Sequence, residues 1–128
     1  MILGRVNAKL EAKLQLTVVG PTGAKIEVDA IIDTGFTGSL SMPIATVAQL
    51  GLVKRSGGTA LLADGSACNF DAYAAELEWD GTKRGVVISA VGHEVLAGMV
   101  LLSGHKLMVE VEDGGAVQVQ PLRRSTQE

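Results

Sequence analysis

Cysteine is almost missing from this chain of 128 residues: Cys68 stands alone. That excludes an internal disulfide and a cysteine-built zinc centre, and it points to a reducing compartment. Aromatic residues are scarce too, at 3 %, so a core has to be filled mainly by Val, Leu, Ile and Ala. Basic residues number 11 against 14 acidic, a formal charge of −3, and they are scattered. Without a positive stripe to neutralise phosphates, nucleic acid is excluded as a partner. No apolar stretch reaches the ~20 residues of a membrane span, and Met1 to Leu10 lacks the apolar run of a signal peptide. A soluble, cytoplasmic protein with no membrane partner is expected. His93 and His105 are the only histidines; with no cysteine nearby they read as surface residues rather than metal ligands. The glycine-rich stretches lack the Gly-Lys-Ser/Thr ending of a phosphate loop, and Ser39 and Ser41 lack the glycines of a hydrolase elbow. No metal and no cofactor is implied.

What is present is alternation and turn chemistry. Glycine occurs 16 times, as expected for many tight turns between short strands. From Leu10 to Val18 apolar and polar residues alternate with period two, the pattern of a half-buried strand. Gly20-Pro21-Thr22-Gly23 turns the chain, and Ala24 to Ile32 returns as a second strand that ends on the apolar pair Ile31-Ile32. Further hairpins are predicted around Asp64-Gly65, Asp80-Gly81 and Glu112 to Gly115. Pro43 to Gly51 reads as one short helix, with Ile44, Val47 and Leu50 on one face and Gly51 as its stop. Val95 to Gly104 is apolar and interrupted at Gly98, which predicts a strand breaking into one helical turn. Length allows one domain, residues 1 to 128, with a core from about 10 to 122 and a frayed tail from Arg123 to Glu128. The fold class expected is all-β, short strands and hairpins with one or two short helices.

The feature that decides the functional reading is Asp33-Thr34-Gly35. A surface turn would place such a triplet after polar residues; here the acid follows a run of apolar strand residues, where a carboxylate is kept only if neighbours hold it. The ordered set of Ile31 to Gly35, the Pro43 to Gly51 helix, the Leu62-Ala63-Asp64-Gly65-Ser66 hairpin and Leu96-Ala97-Gly98-Met99 with Leu101-Leu102 resembles the retropepsin-like aspartic peptidases, in particular their small bacterial and archaeal members.

That resemblance implies a closed, retropepsin-like barrel, a catalytic Asp33 and a homodimer. Two carboxyl groups brought within hydrogen-bond distance share one proton; the charged member activates water, and the protonated member polarises the scissile carbonyl. It implies that Thr34 ties the two active-site loops together, that Gly35 lets the backbones approach, and that Gly98 packs behind the Asp33 loop. It also implies that Ala63, Asp64, Gly65 and Ser66 form a flap over a peptide or unfolded-protein substrate. Ala97 stands where leucine is commoner in the family, Val100 where a polar residue is frequent, and Phe36 where retroviral members have alanine. Those departures keep open a second expectation: a dimeric peptide-binding or interaction module on the same fold, without catalysis.

Overall fold

The computed structural model describes residues 1–61 and 64–123. Its strands are β1 (Ile2–Val6), β2 (Ala12–Val19), β3 (Lys25–Ile32), β4 (Leu40–Met42), β5 (Val53–Leu61), β6 (Ala67–Trp79), β7 (Thr82–Ala90), β8 (Leu96–Ala97), β9 (His105–Val109) and β10 (Ala116–Pro121). Two short helices complete it, α1 (Ile44–Gln49) and α2 (Met99–Leu102).

Alternation works as expected in β2, where Leu14, Leu16 and Val18 turn inward and are buried. The strand begins later than the sequence pattern suggests. Leu10 has φ 62 and is exposed, because the chain first turns through Asn7, whose side-chain Oδ1 accepts from the N–H groups of Lys9 and Glu11. Gly23, at φ 87, closes the next turn by donating to the Gly20 carbonyl, and β3 then pairs antiparallel with β2 from Lys25 to Ile31.

Each of two strands has one edge split between two partners, and this shapes the molecule. Along β2, Ala12 to Leu14 pairs with β1, and Thr17 to Val19 pairs with β6. Along β6, Glu76 to Glu78 pairs with β2, and Ala67 to Ala74 pairs with β5. The β6–β2 pairing closes a barrel of six strands in the order β6-β7-β4-β8-β3-β2. Closure removes the free edges that an open sheet would expose. From the barrel, β1-β10-β9 continue on one side and the β5–β6 hairpin projects on the other.

Inside sit Leu14, Val18, Leu40, Met42, Leu77, Ile88 and Leu101, with Val117 and Val119 from β10. Each fully buried aliphatic side chain contributes on the order of 1.5–3 kcal/mol through removal of apolar surface from water. Trp79, the sole tryptophan, is 95 % covered, its exposure being 5 %.

Helix α1 follows Pro43 and is stopped by Gly51 at φ 59, as the sequence predicts. Its facing differs. Val47 and Leu50 are buried, but Ile44 is 71 % exposed, because so short a helix cannot bring its first residue onto the same barrel contact.

The two Asp-Gly hairpins also differ. Asp80 and Gly81 have φ 50 and φ 87 between the paired residues Trp79 and Thr82, the two-residue turn in which both positions need positive φ. Asp64-Gly65 lies between Leu61 and Ala67, the last described pair of its hairpin. Leu62 and Ala63 of the expected flap, like 124–128 of the expected tail, lie outside the described residues. Cys68 falls in β6 opposite Ala60.

Candidate active site

Strand β3 delivers Asp33 to the open end of the barrel by a non-local arrangement. The two-residue β8 lies between β3 and β4, parallel to the first and antiparallel to the second. The chain leaving β3 must therefore loop over the end of β8 before it enters β4, and that loop is Asp33 to Ser39.

The loop is held mainly through its backbone. Asp33 N donates to the Ala97 carbonyl at 2.9 Å, and Phe36 N donates to the Asp33 carbonyl at 3.1 Å. From the other side, Gly98 N donates to Ser39 O at 2.8 Å, Met99 N to Phe36 O at 2.8 Å and Val100 N to Gly38 O at 3.1 Å. The first turn of α2 thus spends N–H groups that would lack intrahelical partners on the carbonyls of the acidic loop.

Gly98 has the reason for its identity in the same contacts. A Cβ there would stand 2.2 Å from the Gly38 carbonyl oxygen and 2.6 Å from Cδ2 of Phe36. A Cβ at Gly38 would lie 2.6 Å from Cζ of the same ring. Phe36 therefore lies against two glycines, and its half-buried ring acts as a floor beneath the loop.

Asp33 itself is half-buried, while Thr34 and Gly35 are exposed. Its Oδ1 accepts from Gly35 N at 2.9 Å; among the described residues no hydrogen bond engages Oδ2. A side chain at position 35 would put its Cβ 3.3 Å from Oδ1, so glycine there keeps the carboxyl group uncrowded. The Thr34 hydroxyl makes no hydrogen bond among the described residues and sits on the exposed side of the loop.

Of the residues singled out from the sequence, Asp33, Thr34, Gly35 and Gly98 form one constellation. Asp64, Gly65 and Ser66 lie elsewhere, at the exposed tip of the β5–β6 hairpin. There Asp64 Oδ1 accepts from the Ser66 hydroxyl at 2.6 Å and from Ser66 N at 2.8 Å. These two bonds, the hydroxyl first, hold the Asp64 carboxyl below the usual aspartate range. No hydrogen bond joins the described tip residues to the Asp33 loop. At the root of the same hairpin, a cavity of about 470 Å³ is bordered by Ile44, Gly57, Gly58, Phe70, Asp71 and Tyr73. Asp33 does not border it.

Two features escaped the sequence reading. Gly38 has no signal of its own, since its importance comes only from the ring of Phe36. His105, expected on the surface, is half-buried and bonded to Trp79, a partner 26 residues earlier that no local pattern could supply. Among the described residues no group of histidine, cysteine or carboxylate side chains is arranged to hold a metal ion, and no helix is long and apolar enough to cross a membrane. No family model, curated protein or solved structure matches the chain, so the site is read from its own geometry.

Proposed function

We propose that the chain is one protomer of a homodimeric, retropepsin-like aspartic endopeptidase, in which Asp33 from each copy forms a proton-sharing dyad that activates water against a peptide carbonyl. The observation that carries this reading is the state of the Asp33 carboxyl group. One oxygen is held by the Gly35 N–H, and the other is free of partners among the described residues, on a loop whose next two residues are exposed.

A single carboxylate of this kind is a general base with no acid beside it. A second copy brought against the exposed Thr34 and Gly35 supplies the missing group, and repulsion between two nearby charges keeps one of the pair protonated. The backbone clamp from Ala97, Gly98, Met99 and Val100 supplies the rigidity that such a dyad needs, because catalytic groups act only when held close to their reacting geometry. The β5–β6 hairpin would cover an extended substrate, with Asp64, Gly65 and Ser66 at the tip that closes over the scissile bond.

The test is Asp33→Asn, assayed on a peptide library. Turnover is expected to fall by at least about 10²-fold, the usual weight of a general acid–base group, while sedimentation shows an unchanged dimer. Wild-type turnover per protomer should rise with protein concentration until the dimer saturates, and its pH profile should be bell-shaped. Turnover retained in Asp33→Asn would remove the proposal.

A second reading, a dimeric peptide-binding module without catalysis, draws on the cavity at the hairpin root, which lies apart from Asp33. It predicts that both the wild type and Asp33→Asn hold library peptides equally and that neither cleaves them.

A further inference from the structure

The corner between α2 and β9 carries a polar network that the proposed activity does not use. His105 Nδ1 lies 3.0 Å from the Ser103 carbonyl oxygen, and Trp79 Nε1 lies 3.1 Å from His105 Nε2. The two rings meet edge to face, with centroids 5.3 Å apart and planes at 89°. The guanidinium of Arg84 stands 5.3 Å from the Trp79 ring centroid, and its Nη1 donates to the Leu101 carbonyl at 2.9 Å.

These contacts admit only one form of the imidazole. An indole N–H can only donate, and a carbonyl can only accept. His105 must therefore carry its hydrogen on Nδ1 and present a bare Nε2 lone pair to Trp79. A second proton, on Nε2, would set two N–H groups against each other. It would also place a cation at the edge of an indole that already carries Arg84.

We propose that His105 is a proton-sensitive latch: neutral, it ties the α2–β9 corner to Trp79 of β6; protonated, it releases that tie. The surroundings offer the imidazolium no compensation. The residues of α2 are apolar, and the partner of His105 in β10 is Pro121. Along the chain the charged residues next to this corner are cations, Lys106 in β9 and Arg123 just past Leu122, whose N–H bonds the Gly104 carbonyl, and Arg84 of β7 stands over the Trp79 ring. The carboxylates on either side of Trp79 in the chain are engaged elsewhere, Glu78 with Lys25 and Asp80 with the terminal ammonium. Among the described residues His105 makes no ion pair.

The latch acts on the back of the candidate site. The C-terminal end of α2 is held to the β6–β7 hairpin side of the barrel by the Arg84–Leu101 bond and, through the Ser103-Gly104 corner, by His105. The other end of α2 clamps Phe36 and Gly38 in the acidic loop. Release at His105 loosens one of these holds. This inference rests on contacts outside the Asp33 carboxyl group and stands whether or not that group cleaves peptides.

Because Trp79 is the sole tryptophan, its indole N–H resonance and its emission report the latch directly. In the full chain, both should change together in a single-proton step on acidification. The step should persist in His93→Gln and vanish in His105→Gln. The amide resonances of Gly98 and Met99 should move in the same step. Ring ¹⁵N shifts of the wild-type protein at the alkaline end should show His105 protonated on Nδ1. That measurement decides the matter even if His105→Gln does not fold, since an Nε2–H tautomer overturns the latch. A flat Trp79 signal in the wild type, or a step that survives in His105→Gln, overturns it as well. Motionless Gly98 and Met99 amides would overturn its link to the Asp33 loop.

Discussion

Asp33-Thr34-Gly35 and Asp64-Gly65-Ser66 are built on the same local device, an aspartate whose Oδ1 accepts from the backbone N–H two residues on, at 2.9 Å in the first and 2.8 Å in the second. Such turns form wherever a short acidic side chain can fold back on its own backbone. The difference lies in what surrounds them. The Asp33 turn emerges from a barrel strand and is bonded to Ala97, while Ser39, Phe36 and Gly38 accept from Gly98, Met99 and Val100. The Asp64 turn is exposed, and among the described residues its carboxylate is bonded to Ser66. A shared local motif therefore becomes a rigid platform in one place and a hairpin tip in the other, and the deciding factor is tertiary anchoring rather than turn chemistry.

Substitutions that attack the anchor or the tip break this comparison in order of size. Gly98→Ala should be the most damaging, since its Cβ would stand 2.2 Å from a backbone oxygen of the acidic loop, and forced overpacking of that kind costs about 3 kcal/mol. Denaturant melts would show it, and under the peptidase reading turnover should fall with it. Gly65→Ala should cost less. The position has φ 86 with nothing within 4 Å of a new Cβ, so only the left-handed backbone penalty of about 1 kcal/mol applies. The same melts would resolve the two. If Gly65→Ala proved as harmful as Gly98→Ala, the tip would be anchored too and the contrast would fail.

Ser66→Ala should have the smallest effect, visible in titration rather than in stability. It removes the hydroxyl bond and keeps the N–H bond, so the Asp64 carboxyl should move part of the way back up toward the ordinary aspartate value. The sign is that of any carboxyl lowered on folding: its favourable contribution is present above the unfolded value and lost as pH falls through the lowered one. Carboxyl ¹³C shifts of Asp64 in the wild type and the variant measure the displacement, and an unmoved carboxyl would assign the lowering to something other than the Ser66 hydroxyl.

Much of the barrel was legible beforehand because its signals are local. Leu14, Leu16 and Val18 announce β2 by period two, Asp80-Gly81 carries the backbone freedom its turn requires, and Gly98 marks the break between β8 and α2. Other elements gave no such signal. Strand β1 is five residues long with glycine at its centre, and β4 is three residues whose partners, β7 and β8, lie far along the chain. In the candidate site, Asp33 and Gly35 could be read from their triplet. Gly38 could not, because its need for glycine arises from a ring two residues away in an arrangement only the folded loop creates. The exposure of Ile44 was not legible for a similar reason: helical periodicity places a residue on a face but does not say how far the opposing surface extends.

The amino-acid sequence by itself determined the alternation that makes strands, the glycines that permit the turns, and an aspartate placed after an apolar strand, because each depends on bonds and clashes between residues close in the chain. Only the tertiary structure decided that β6 closes on β2, that the loop after Asp33 is clamped by α2, and that His105 meets Trp79. Those outcomes depend on which distant surfaces come into contact, and contact between distant surfaces is fixed by packing the whole core at once rather than by any window of residues.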